Sequence, residues 1–238
     1  MRFVAIKSTE QQDIQSIHRI RSELVKKRTA LANQIRGLVA EYGLVAPLSM
    51  AQLRRAISCW LDEDNELSAL FRQLLLELQQ DLILLDERVS DLDLHIKTQA
   101  TKNPTARRLQ QLRGVGPVCA TILASALGDG SSFKNGREFA ASLGLTPKQH
   151  STGGKERLLG ISKRGDSYIR SQMIHGARST VTYAKNKDDN LSRWLNKLGE
   201  RKHTNVVSVA LAAKTARMAW AMIRYEMDYE PTRAAMIS

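Results

Sequence analysis

The stretch Leu109-Gln-Gln-Leu-Arg-Gly-Val-Gly-Pro-Val-Cys-Ala-Thr-Ile-Leu123 decides how the second half of this 238-residue chain folds. Gly114 and Gly116 allow a tight turn that residues with a Cβ would resist. Pro117 suits the first turn of a following helix, because its missing N–H costs little there. The pattern predicts a helix-hairpin-helix whose first helix ends near Leu112. An ordinary helical packing unit is the alternative.

A hairpin of this kind has a use beyond packing. It points backbone N–H groups at a phosphate, as the N-termini of helices do in general. The flanking sequence is strongly basic, which favours a nucleic-acid ligand. We therefore predict that Arg113, Gly114 and Gly116 contact nucleic acid.

A second stretch, Ser151-Thr-Gly-Gly-Lys155, predicts a loop that exposes a hydroxyl among cations. Such cations would stabilise the charge that grows on phosphoryl oxygens during attack on a phosphodiester. From the residues alone, an alternative stays open in which the loop only donates hydrogen bonds to phosphate. The residues predicted to contact nucleic acid around this loop are Lys148, Lys155, Arg157, Lys163, Arg164 and Arg170.

The charge of the chain is divided unevenly between its halves. Residues 1–100 hold 13 Lys and Arg against 14 Asp and Glu, a balance of −1. Residues 101–238 hold 23 against 10, so the whole excess of positive charge lies there. This split favours a nucleic-acid surface in the second half over a general solubility charge.

The first half is dominated by seven-residue apolar repeats. One series is Ile17, Leu24, Leu31 and Leu38; a neighbouring series places Arg21 and Arg28 between isoleucines. Two further series, beginning at Phe71 and Leu75, run to Leu92 and Ile96. The spacing predicts an antiparallel helical, coiled-coil hairpin over 1–98 that helps the chain form a homo-oligomer. A helical bundle within a single chain is the alternative.

Several classes of chemistry find no support in the sequence. Cys59 and Cys119 stand far apart, so neither a disulfide framework nor a zinc cluster is predicted. The acidic residues of the second half are scattered, and a two-metal site needs several that converge. We therefore expect no metal ligand in this chain. Without a run of about 18 apolar residues we expect no membrane partner and a cytoplasmic, nucleoid-associated location.

Five motifs occur in an order that resembles the C-terminal domain of insertion sequence 110 family transposases. They are Leu112-Arg-Gly-Val-Gly-Pro117, Phe139-Ala-Ala-Ser-Leu-Gly-Leu-Thr-Pro147, Ser151-Thr-Gly-Gly-Lys155, Ile161-Ser-Lys-Arg-Gly-Asp166 and Ile174-His-Gly-Ala-Arg178. Upstream, Lys7-Ser-Thr-Glu-Gln-Gln12 and Arg28-Thr-Ala-Leu-Ala-Asn-Gln-Ile-Arg-Gly37 resemble the central helical region of the same family.

The resemblance implies a DNA transposase or recombinase whose nucleophile is a loop serine, which falls here on Ser151. It also implies DNA and a guide RNA as partners. Complete members carry an N-terminal RuvC-like domain with an Asp-Glu-Asp-Asp site for Mg²⁺. The motifs begin after that domain, so we expect the chain to lack it and to be incomplete as an enzyme. Thr152 departs slightly from the family pattern, where Ser or Gly is common, without touching the Ser151 hydroxyl.

Together these observations predict an all-α protein: a helical hairpin over 1–98, then a basic domain over 99–238 that contains the helix-hairpin-helix and the serine loop. The predicted function is that of the C-terminal part of a serine-nucleophile transposase. A non-catalytic fragment that binds nucleic acid, dimerises and regulates the full-length transposase is the alternative.

Overall fold

The computed structural model describes residues 7–62, 65–150 and 157–231, and within them the fold is all-α with one small two-stranded sheet. The predicted fold class is therefore confirmed. In chain order the elements are α1 (Thr9–Ala40), α2 (Met50–Asp62), α3 (Ala69–Lys102), α4 (Pro104–Leu109), α5 (Pro117–Leu127), α6 (Gly136–Ser142), β1 (Pro147–Gln149), β2 (Leu158–Ile161), α7 (Ser167–Ala184), α8 (Asn190–Gly199) and α9 (Thr204–Arg224).

Contacts within the chain define two compact units. The helical unit comprises residues 16–95, and the basic unit comprises residues 1–15 together with 96–238. The first turns of α1 thus belong to the basic unit, where the Ser125 hydroxyl donates a hydrogen bond to the Gln11 carbonyl at 3.0 Å. The sequence-based division after residue 98 stays a prediction.

The helical unit is built on apolar residues from three helices. Its buried residues include Ala32, Ile35 and Val39 of α1, Leu53, Ile57 and Trp60 of α2, and Phe71, Leu75 and Leu82 of α3. The ring of Tyr42, just after α1, stacks on that of Phe71 with centroids 4.3 Å apart. The short α2 therefore contributes a third side to the core that the two long helices would otherwise leave open.

Ion pairs explain the two arginines that interrupt the apolar repeat of α1. Arg21 pairs with Asp93 at 2.5 Å, and Arg28 pairs with Asp86 at 3.0 Å. A step of seven residues forward on α1 matches a step of seven backward on α3, which is the register of antiparallel helices. Arg54 of α2 binds the other oxygen of Asp86, so one carboxylate joins all three helices.

The core of the basic unit surrounds α9. This helix packs against α4, α5, α6, α7 and α8. Its buried residues lie on every side of it, which is typical of a helix at the centre of a core. By length and composition it could cross a membrane, but two thirds of its most apolar stretch is buried inside the protein. Its apolar residues therefore serve as the core of this unit.

The turn between α4 and α5 lies directly on α7, backbone against backbone. A Cβ placed on Gly114 would lie 2.5 Å from the carbonyl oxygen of Gly176, in the middle of α7. A Cβ on Gly176 would in turn overlap the carbonyl group of Gly114. Real Cβ atoms do not approach a backbone so closely, so only a pair of glycines lets the two segments meet.

We expect Gly176→Ala to lower the free energy of unfolding of the basic unit by about 3 kcal/mol, the upper end of the usual cost of overpacking. The new methyl group meets main chain, which cannot turn aside as a flexible side chain can. Urea unfolding followed by circular dichroism measures the change. Gly37→Ala is the matched control, since that helical position faces open space and alanine there gains up to about 1 kcal/mol of helix propensity. Equal stability of the two variants would contradict the contact.

Candidate nucleic-acid interface

The segment on either side of the predicted serine loop forms a β-hairpin. Strand β1 pairs with β2 in antiparallel fashion, Pro147 opposite Ile161 and Gln149 opposite Leu158. The last described bond before the tip runs from the His150 N–H to the Arg157 carbonyl at 2.9 Å. Ser151 and Lys155 lie outside the described residues, between the two ends that this bond joins.

The base of the hairpin is held by main-chain contacts between its two arms. A Cβ on Gly144 would lie 2.6 Å from the Arg164 nitrogen, and a Cβ on Gly165 would overlap the Ser142 carbonyl. Both glycines have positive φ, +69° and +88°, a region that other residues seldom adopt. The Lys163 N–H also donates to the Gly144 carbonyl at 3.2 Å. The arms are thus fixed before the chain reaches the tip.

Helix α7 leaves the hairpin base with its own cap. The Asp166 carboxylate accepts hydrogen bonds from the N–H groups of Tyr168 at 2.8 Å and Ile169 at 3.0 Å, as an aspartate directly before a helix commonly does. One turn later, the Arg170 guanidinium donates to the Leu143 carbonyl at 3.0 Å. Its guanidinium is therefore engaged in holding the hairpin base, and its predicted contact with nucleic acid stays a prediction.

The remaining predicted cations around the loop project into solvent. Lys148, Arg157, Lys163 and Arg164 are all exposed, and within the described ranges none of their side chains pairs with a carboxylate. The nearest described acidic residue in the chain, Asp166, directs its carboxylate to the cap of α7. Lys148 and Arg157 lie in the arms near the last described bond, and Lys163 and Arg164 lie at the base, so exposed cations run along the hairpin.

The segment predicted to form a helix-hairpin-helix covers α4, the turn over 110–116 and α5, and the motif itself stays a prediction. The first helix ends at Leu109, three residues earlier than predicted, and continues as turns to Arg113. Gly114 takes a φ of +79°, and Gly116 caps α5 from the N-terminal side without a side-chain hydrogen bond. Gly116 is exposed and faces open space. A ligand therefore has space beside Gly116, whereas α7 fills the space beside Gly114.

Arg113 has an internal partner that the sequence did not indicate. Its guanidinium donates to Asp189 at 2.8 Å and to the Ser192 hydroxyl at 3.0 Å. Burial acts to raise the pKa of Asp189, but the hydrogen bonds from Arg113 and Ser192 hold that pKa well below its usual range. The contact fastens the start of α8 to the turn before α5. Like Gly114, Arg113 is thus engaged in packing, and its contact with nucleic acid stays a prediction.

The described residues offer neither a metal site nor a reactive thiol in the basic unit. Nowhere in residues 7–62, 65–150 and 157–231 do three His, Cys, Asp or Glu side chains converge. Among these residues there is therefore no site that fits Mg²⁺, the ion that the resemblance implies for the N-terminal domain of complete members. Burial raises the pKa of the Cys119 thiol to about 12, so it remains protonated at neutral pH.

Comparison with known proteins identifies relatives over nearly the whole chain. Residues 106–192 match the model of the IS116/IS110/IS902 transposase family. The chain is 46% identical to a probable family 20 transposase of Pseudomonas aeruginosa, over 97% of this chain and 69% of that protein. It is 41% identical to the transposase for insertion sequence element IS1111A of Coxiella burnetii, over 96% of this chain and 63% of that protein. It is 37% identical to the transposase for IS1328 of Yersinia enterocolitica, over 92% and 65%.

These similarities define the class as the transposases of insertion sequences. The chain belongs to the IS116/IS110/IS902 transposase family, which confirms the resemblance found in its motifs. It spans between 63% and 69% of the length of the three relatives. The expected lack of an N-terminal metal-binding domain stays a prediction, and the activity of a whole transposase is not carried over to this chain by similarity alone.

We expect Gly165→Ala to lower the free energy of local opening at the hairpin base by about 2 kcal/mol. Alanine resists a φ of +88°, and its methyl group would overlap the Ser142 carbonyl. Limited trypsin digestion after Lys148 and Arg157 should become about 30-fold faster, because cleavage follows the population of the open form. Gly160→Ala in β2, where a Cβ meets open space, is the control. Unchanged cleavage in Gly165→Ala would show that the base is not held there.

Proposed function

We propose that this chain is the C-terminal, DNA-joining part of a serine-nucleophile transposase. The observation that supports it is the β-hairpin: its described arms flank the sequence segment that contains Ser151, its base is fixed by main-chain contacts at glycines, and exposed cations lie on both arms. A rigid base with a basic rim suits a nucleophile that must meet a phosphodiester in a set geometry. DNA binding and recombination are thus parts of the same proposal.

In the proposed step, the Ser151 hydroxyl oxygen attacks a DNA phosphorus. A bond forms between that oxygen and phosphorus as the bond from phosphorus to the 3′ oxygen breaks. The hydroxyl proton leaves, and the departing 3′ oxygen takes up a proton, so charge balances. A second strand's 3′ hydroxyl then reverses the step and releases the serine. One phosphoester replaces another each time, and no external energy source is needed.

The cations act on the phosphate rather than on the serine. Lys148, Arg157, Lys163 and Arg164, with Lys155 in the loop itself, would offset the negative charge that develops on the phosphoryl oxygens. The N-terminus of α5, which begins after the exposed Gly116, would offer its free backbone N–H groups to a further phosphate. Following the family resemblance, we extend the proposal to a guide RNA as a second nucleic-acid partner and to action at the nucleoid in the cytoplasm.

A covalent adduct tests this proposal. The full chain is incubated with 3′-end-labelled element-end duplexes that carry nicks at successive positions, so that the leaving strand diffuses away. We expect label on the protein that Ser151→Ala abolishes, because removing a covalent nucleophile costs about 10⁶-fold in a serine hydrolase. Thr152→Val, which removes the neighbouring hydroxyl, should keep the adduct.

The outcomes of this assay separate two functions. An adduct that survives in Ser151→Ala contradicts the assigned nucleophile. Binding that falls steeply with salt, without any adduct, supports the alternative of a non-catalytic fragment that regulates the full-length transposase. A chain that binds no element-end duplex at low salt contradicts both.

An apolar line on α3 favours association of two copies. Leu76, Ile83 and Leu94 are 44%, 47% and 65% exposed, and steps of seven and eleven residues return to one face of a helix. Two such lines bury each other when helices of separate chains pair. We therefore propose a homo-oligomer that forms through the helical unit.

We expect Leu76→Glu with Ile83→Glu to convert the oligomer to a monomer, since two carboxylates would be desolvated in the interface. Sedimentation velocity measures the state, and circular dichroism checks that helix content is kept. Ala30→Glu with Gln34→Glu is the control, because it adds the same charge at exposed positions of α1. A wild-type chain that sediments as a monomer at all concentrations would rule the association out.

A further inference from the structure

A basic depression lies at the end of α7 that is remote from the hairpin. It has a volume of about 580 Å³, and the turn between α7 and α8 forms one wall. Its cationic lining residues are Lys185, Lys187, Arg193 and Lys197. None of these residues belongs to the motifs that define the serine loop or the helix-hairpin-helix.

The cations of this depression are available to a ligand. All four are exposed, and Lys185, Lys187 and Lys197 pair with no carboxylate in the described part of the chain. Arg193 lies 3.7 Å from Asp188, but that carboxylate is 92% exposed, so the pair contributes little. Glu200 is the other acidic lining residue, which leaves an excess of two positive charges.

The walls of the depression are held by defined contacts. The Asn196 amide of α8 donates to the Ala184 carbonyl at the end of α7, at 3.2 Å. At the start of α8, Asp189 caps the helix and binds Arg113. Because α8 is held at its start and near its end, the backbone that carries Arg193 and Lys197 is fixed, and a ligand does not have to order it.

A polar stripe on α7 connects this depression with the hairpin. Ser171, His175, Arg178 and Thr182 are exposed and follow one another at intervals of four, three and four residues, which places them on one face of the helix. The sequence of α7 contains no acidic residue. A polyanion could therefore follow this face without meeting a carboxylate on it.

We infer that the depression is a second binding site for a nucleic-acid backbone, used together with the hairpin. This inference rests on the proposed function of the hairpin. Helix α7 has 18 residues and is about 27 Å long. Duplex DNA rises about 3.4 Å per base pair, so about 8 base pairs span from the hairpin base to the depression. The second site holds the strand so that the phosphate at Ser151 is kept in register.

The inference is tested by the dependence of affinity on duplex length. With DNA duplexes from about 5 to about 16 base pairs, the wild-type chain should bind much more tightly once the duplex passes about 8, because both sites are then bridged. Lys187→Gln with Lys197→Gln should remove this step and lower the affinity for the longest duplex at least about tenfold near 0.1 M salt. Lys102→Gln with Lys134→Gln, two exposed lysines elsewhere in the basic unit, should keep the step.

Salt dependence provides a second measurement. Loss of two phosphate contacts lowers the slope of log affinity against log salt by about 1.8, a difference of about twelvefold between about 50 and about 200 mM. The same length series with RNA shows which polymer the site takes, and a step with either supports it. Equal affinity of the wild type and the Lys187→Gln, Lys197→Gln variant at all lengths overturns the inference while leaving the Ser151 adduct untouched. If the wild-type chain binds no duplex of any length, the proposed function itself is overturned, and the inference that rests on it falls with it.

Discussion

The basic unit depends on a crossing of two backbones at Gly114 and Gly176. The turn before α5 can lie on α7 only because neither residue has a side chain at the contact. Helix α7 begins at the hairpin base and ends at the basic depression, so the turn that crosses it packs on the helix that carries both proposed nucleic-acid surfaces. Arg113, the residue next to Gly114, adds a charged contact to Asp189 at the start of α8. Helix α7 is thus held by the glycine-containing turn on one side and by the core helix α9 on another.

Sequence reasoning succeeds where a pattern is local. Helices α7, α8 and α9 follow from apolar periodicity and from caps such as Asp166, whose partners lie two and three residues away. Periodicity does not reveal the strands, because β1 has three residues and all of them are exposed. A sequence gives the charge of Arg113 and Arg170 but not their partners, which lie 76 and 27 residues away. The fold shows that both also hold elements together, which the sequence does not reveal, and their contact with nucleic acid stays a prediction.

In the helical unit, too, the role of charged residues depends on partners that are distant in the sequence. Arg21 and Arg28 look like defects in an apolar repeat when α1 is considered alone. In the fold, Arg21 lies opposite Asp93 and Arg28 opposite Asp86, and the two ion pairs fit a single register of α1 on α3. Apolar contacts along a repeat tolerate a slip of one heptad, whereas a half-buried arginine that loses its carboxylate is penalised. We infer that these pairs select one alignment of α1 on α3, a role that only a structure with both helices can reveal.

In the hairpin, main-chain atoms maintain the fold, whereas the side chains of β1 are exposed to solvent. Its base is secured by carbonyl and amide groups around Gly144 and Gly165, while the side chains of Pro147, Lys148 and Gln149 stand in solvent. Substitutions at those outward positions therefore cost the architecture little. Substitutions can therefore change the exposed side chains of the hairpin without changing the main-chain contacts at its base. Related insertion sequences could in this way acquire different targets on an unchanged scaffold.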